Sequence, residues 1–182
     1  MKKIISLLIL ALILICCKDK SETKIESNKS DFNLKNDYRE LTNRITELDT
    51  IEIFVGLSIC EWERNEKLTL TKFNDSLRIL IETTEIENNK LLKVSEIIKI
   101  HQNDTVWKFE NFLTKINDKQ KFIDNSPNFI IVHNSDSIKY YTNGLSEMND
   151  FIADYYNTMF NLNPKNKLYE GMKIISEEPE KY

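Results

Sequence analysis

Glycine and proline are nearly missing, with three of each in 182 residues, beside two alanines (Ala11 and Ala153), three cysteines and two histidines. Each shortage argues against a class of chemistry. Gly56, Gly144 and Gly171 lie far apart, so no Gly-rich loop exists to cradle a phosphate. His101, His133 and the cysteines lack the paired short spacings of a structural zinc site. Asn134, Asp136 and Asn143 lack the spacing and the closing Glu of a calcium loop. No cofactor or metal is therefore expected. Charge of one sign is not in excess either: 25 Lys and Arg face 29 Asp and Glu, which gives no reason to expect nucleic acid as a partner.

What is abundant is Ile, Lys and Asn, together 65 of the 182 residues. Ala, Gly, Pro and Arg are scarce at once, and all four have GC-rich codons. An AT-rich genome explains this pattern, so the Asn and Lys content is not read as a binding surface. A 41% hydrophobic fraction is too high for wholesale disorder, and the length suits a single domain.

The N-terminus is the most specific feature. Met1-Lys2-Lys3 is a short positive start, and the twelve residues from Ile4 to Ile15 are large aliphatics interrupted by Ser6 and Ala11. Such a run is shorter than the ~20 residues of a membrane span and matches the apolar region of a signal peptide. Leu14-Ile15-Cys16-Cys17 resembles the lipobox of bacterial lipoproteins. The resemblance implies that Cys17 is diacylated and that the chain is cut before it, with Cys16 supplying the small preceding residue. Two or more acyl chains hold a protein stably to a bilayer without spanning it. Cleavage would leave 23 basic against 29 acidic residues, a net charge of about −6. Lys18-Asp19 partly resembles the charged signal that sends some Gram-negative lipoproteins to the cell surface. The expected location is the cell envelope, with the outer membrane favoured and both the periplasmic and the surface side left open.

The expected organisation is a signal peptide over residues 1–16, a lipidated Cys and flexible tether over 17–36, and one globular domain over 37–182. Within the domain, Tyr38, Leu41, Ile45, Leu48, Val55, Ile59 and Trp62 step by three, four or seven and predict a helix over most of 37–63. Ile51-Glu52-Ile53-Phe54-Val55 leaves a strand as the alternative. Residues 67–87 are ambiguous, and Leu91, Val94 and Ile97 predict a helix ending near Ile100. Asp104 is placed to cap a helix bearing Val106, Phe109, Leu113 and Ile116. Phe129 to Val132 and Ile138 to Tyr141 flank a polar turn and predict a β-hairpin over 129–141. Ser146 opens a helix with Met148, Phe151, Ile152, Tyr155 and Met159 on its apolar face. The fold class expected is α+β and predominantly helical, with helices around one core and the hairpin leaning on the helix 147–160.

Catalytic groupings are scarce, and no catalytic residue is assigned. Cys60 would be the one thiol of the mature domain and reads as a small core hydrophobe, because a nucleophile would need His101 or His133 beside it. His133-Asn134-Ser135-Asp136-Ser137 holds the residue types of a triad, but triads assemble from separated segments, and Asn, Ser and Asp are what a turn uses. Trp62 and Trp107 read as core anchors, and Glu61 and Glu63 do not share a helix face. Four tripeptides of the form Asp, hydroxyl residue, aliphatic resemble an O-glycan acceptor pattern of exported proteins, which marks Thr50, Ser76, Thr105 and Ser137 as candidate acceptors. The same residues also suit the start of a helix or strand.

Three functional readings follow. The first is a non-catalytic lipoprotein that binds another protein, as an envelope accessory subunit or an immunity-type inhibitor. The second is a small envelope hydrolase, and the third a small-ligand-binding lipoprotein whose sign would be a closed aromatic cavity. The bilayer, through acylated Cys17, and a protein of unknown identity are the expected partners.

Overall fold

Ile51, Ile53 and Val55 alternate with Thr50, Glu52 and Phe54, and a period of two sends the first set to one face of a strand. A computed structural model describes residues 30–58, 63–87, 90–117 and 127–170, and in it these three side chains are buried in the middle of a six-stranded antiparallel sheet. The strands are β1 (Thr50–Gly56), β2 (Glu63–Phe73), β3 (Ser76–Glu87), β4 (Lys90–His101), β5 (Phe129–His133) and β6 (Asp136–Tyr140). Their order across the sheet is β4-β3-β2-β1-β5-β6. β1 joins the two halves, pairing Ile53 with Leu68 of β2 on one side and with Ile131 of β5 on the other.

Turn chemistry fixes the registers. Asn74 and Asn134 take φ values of 53° and 54°, the left-handed region that Asn tolerates best among residues with a side chain, and each opens a two-residue turn. Phe73 therefore closes against Ser76, and His133 against Asp136.

One face of the sheet carries the core. Leu68 and Leu70 of β2, Leu77, Ile79 and Ile81 of β3, and Phe129 and Ile131 of β5 are buried there with the β1 residues. Two helices cover them: α3 (Phe109–Asn117), in the long connection from β4 to β5, and α4 (Gly144–Leu162), after β6. Phe112 of α3 meets Phe129, Phe151 and Tyr155 at ring-centre distances of 5.5, 5.9 and 5.8 Å, which ties both helices to the sheet. Short helices α1 (Leu34–Asp37) and α2 (Leu41–Arg44), separated by a 3₁₀ turn, complete the layer through buried Leu34, Leu41 and Ile45. Among the described residues no helix covers the opposite face, where Thr50, Glu52, Phe54, Lys67 and Thr69 are exposed or half-buried.

The predominantly helical expectation is overturned: 41% of the described residues are strand and 33% helix. Over the predicted helix 37–63 the described residues hold the end of α1, a 3₁₀ turn, α2 and then β1, with 59–62 outside the described residues, and the helix predicted to end near Ile100 is strand β4. The hairpin at 129–141 is present as β5–β6, yet it does not lean on a helix alone, because β5 pairs with β1 and makes the hairpin one end of the large sheet. Phe32 and Leu34, inside the stretch expected to be a tether, are buried, so the packed region reaches back into residues 30–36.

Ile53 is fully buried on the central strand, so Ile53→Ala should cost about 2–5 kcal/mol. Exposed Lys139→Ala on β6 should stay within about 0.5 kcal/mol. Urea unfolding with unchanged m values would check both.

Candidate functional site

The cluster that the sequence singles out, residues 133–137, forms the tip of the β5–β6 hairpin. The structure adds a residue that the sequence reading placed elsewhere. Asp49, just before β1, puts Oδ1 2.9 Å from His133 Nε2. Its Oδ2 accepts from Ser30 Oγ at 2.7 Å, Thr46 Oγ1 at 2.7 Å and the Thr46 backbone N–H at 2.8 Å. Phe32 packs its ring edge-on to His133 at 5.0 Å. A cleft of about 750 Å³ opens beside the pair, lined by Asp31, Asn33, Asn134 and Asp136 among others.

The order of contacts decides what this arrangement can do. A triad needs the hydroxyl on the imidazole. Here Ser30 donates to the carboxylate, and the imidazole donates to the same carboxylate, so Asp49 is the hub and no nucleophile is activated. The cluster instead fastens the N-terminal segment and the β5–β6 turn to the start of β1. Burial pushes the Asp49 carboxyl up, but hydrogen bonds from Ser30, Thr46 and His133 outweigh it and hold the carboxyl below its ordinary 3.8.

A second polar cluster lies under the helices. Arg64 and Glu66 of β2 point into the apolar face and pair with each other. Glu66 Oε2 accepts from Tyr155 Oη at 2.7 Å and Tyr169 Oη at 3.1 Å. The Arg64 guanidinium lies 5.4 and 5.5 Å from the ring centres of Tyr156 and Tyr169. Burial alone would lower the Arg64 pKa, yet Glu66 and the tyrosines more than reverse this, so the side chain stays charged. Burial pushes Tyr156 up to about 12, against the opposing pull of Arg64, and drives Tyr155 and Tyr169 well above the usual phenol range. The Tyr155 and Tyr169 hydroxyls serve as neutral donors that anchor α4 and the segment after it.

The third feature is exposed. β3 and β4 run twelve residues each, and their far end passes beyond the helix layer. Among the described residues cover stops at Glu96, whose two oxygens accept from Asn163 and Asn166 at 2.8 Å each. Past that point Leu91, Leu92 and Val94 are 59%, 51% and 40% exposed, and Ile97 on the bare face is 54% exposed. Leu92 and Val94 lie on the helix side of the strand, and Leu91 and Ile97 on the other. Among the described residues nothing covers these apolar side chains on the two faces of the edge strand, an arrangement that solvated edges ordinarily avoid.

The remaining candidates are dispersed. Thr50, Thr105 and Ser137 are exposed and Ser76 is half-buried, at four separate places. Three of the preceding aspartates have structural work: Asp49 as above, Asp104, which accepts from the Val106 N–H at 2.8 Å, and Asp136, which pairs with Lys35 at 3.4 Å. Trp107 is core, stacked on Phe109 at 4.5 Å. His101 is exposed at the end of β4, while His133 is buried on β5. Cys17, Cys60, Glu61 and Trp62 lie outside the described residues. Among the described residues no three His, Cys, Asp or Glu side chains converge to hold a metal ion.

Because the Asp49 carboxyl is depressed, its stabilisation is present above pH 3.8 and is lost as pH falls through the lower folded value. Asp49→Asn should therefore reduce stability at neutral pH by about 1.5–3 kcal/mol, and the gap to the native chain should narrow below about pH 4, read by thermal melts across pH. Glu66→Gln leaves buried Arg64 without that carboxylate and should cost about 3–5 kcal/mol, whereas the double change Arg64→Met with Glu66→Leu should recover part of the loss in urea melts. Set beside known proteins, the chain matches no family model, no curated protein and no solved structure.

Proposed function

We propose that this chain is a lipid-anchored, non-catalytic protein of the bacterial cell envelope that binds another protein through its β3–β4 hairpin. The observation that carries the reading is the twelve-residue edge strand β4 with Leu91, Leu92, Val94 and Ile97 exposed on its two faces. Anchoring follows from the Leu14-Ile15-Cys16-Cys17 resemblance, with acylated Cys17 in the bilayer and the residues before Ser30 as the tether. The outer membrane remains the favoured location.

The alternatives find less support. A hydrolase would need convergent acid and base groups, and the His133–Asp49 pair is spent on holding segments together. A small-ligand carrier would need an aromatic chamber. A partly open pocket beside Tyr140, Thr142 and Phe151 measures about 20 Å³, enough for a water molecule.

The test is capture of partners by residues 30–182 from the envelope and secreted fractions of the source organism, compared with a Leu92→Glu/Val94→Glu variant. A stoichiometric protein retained by the native domain and lost by the equally stable variant is the expected outcome. Retention by both would remove the hairpin from the reading. Intact mass of the native chain should show a start at Cys17 carrying acyl chains. Mass beyond peptide plus lipid would support a glycan at Thr50, Ser76, Thr105 or Ser137, and none would end that idea.

A further inference from the structure

The free edge of β4 has a definite hydrogen-bonding phase. Glu87 pairs with Lys90 at one end of the ladder, and in this phase the pair exchanges both backbone bonds. Ladder bonds then recur at Glu85 with Leu92, Thr83 with Val94 and onward, and the same phase is met at the other end, where Gln102 N donates to Asp75 O at 2.8 Å. The backbone N–H and C=O groups of Leu91, Lys93, Ser95, Ile97 and Lys99 therefore point away from β3. No strand of the described sheet follows β4.

The side chains along this edge have a charge of their own. Lys90, Lys93 and Lys99 stand on β4 against Glu96, which is already held by Asn163 and Asn166. Arg78 sits directly across from Lys99. β3 balances this with Glu82, Glu85 and Glu87, so the excess of three lysines over one acid belongs to β4 itself, the strand that an added segment would touch. A second copy of β4 laid parallel and in register against this edge would stack like lysines, which disfavours that pairing.

Resting on the reading of the hairpin as the contact element, we propose that β4 accepts an extended segment of the partner protein as a seventh strand, aliphatic in character and carrying acids where it meets Lys90, Lys93 and Lys99. Backbone bonds to the five outward-facing residues would supply affinity. Apolar side chains would cover Leu91 and Ile97 on one face and Leu92 and Val94 on the other, and the acids would set register.

The probe is a ten-residue peptide of Val, Ile and Thr with three Glu spaced to face those lysines, titrated against the full chain in detergent. Its controls are the same peptide with Lys for Glu, and the Glu peptide N-methylated on alternate backbone nitrogens. The Glu peptide should bind at least tenfold more tightly than the Lys peptide, and its advantage should shrink as salt is raised. N-methylation should abolish binding. Ser95→Pro removes an outward N–H and no ladder bond, so it should keep the fold and lose the peptide. Equal binding of the Glu and Lys peptides would overturn the acidic partner. Equal binding of the methylated peptide, or by the folded Ser95→Pro variant, would overturn strand addition, as would a concentration-dependent dimer that competes with the peptide. A natural partner lost by Leu92→Glu/Val94→Glu but kept by Ser95→Pro would leave the hairpin as the contact and sink only the added strand.

Discussion

Everything in this fold hangs on the two-sided pairing of β1. On one side it continues the β2–β3–β4 meander, whose strands are consecutive in sequence. On the other it takes up β5, some eighty positions away, and with it the β5–β6 hairpin. Ile51, Ile53 and Val55 are buried where those two units meet, and the helices α3 and α4 can pack only because the join presents them with one continuous apolar face. A meander and a hairpin without β1 would be two sheets with half a core each.

Polar groups hold this layered arrangement at two places, each by a different means. Around Asp49 a single carboxylate collects donors from three segments, and its depressed pKa is the signature of those bonds. Around Glu66 the carboxylate is matched to a buried guanidinium, and two tyrosine hydroxyls take its other oxygen. A buried ion pair of this kind is weak support for net stability, but losing one partner is severe. What it fixes is where α4 and the chain beyond it must sit relative to β2.

The legible parts of the sequence were those with one period and one face. The run Met148, Phe151, Ile152, Tyr155, Met159 has no competing reading and is the buried side of α4. Phe129 to Val132 before a polar turn was equally plain. The region 50–101 was not legible, for physical reasons. Arg64 and Glu66 continue the inward-facing positions of Leu68 and Leu70, so two charges interrupt the alternation that would have announced β2. A charged pair two residues apart, in phase with apolar residues, was the available signal. In β4 the helix-like spacing of Leu91, Val94 and Ile97 arose because apolar residues decorate both faces of a strand with little cover. The Asp49–His133 contact spans 84 positions, and no local pattern encodes it.

The two edges of the sheet are unlike. β6 is five residues long, α1 packs beside it, and Lys35 bridges to Asp136 at 3.4 Å across that gap. β4 is more than twice as long and bare. A sheet with two open edges can grow without limit, each newcomer offering the next a template. With one edge blunted, whatever joins at β4 finds no matching edge at the opposite end, so growth stops after a single addition and a polymer cannot run on through the sheet. That asymmetry separates an edge able to take one added strand from a seed for fibres.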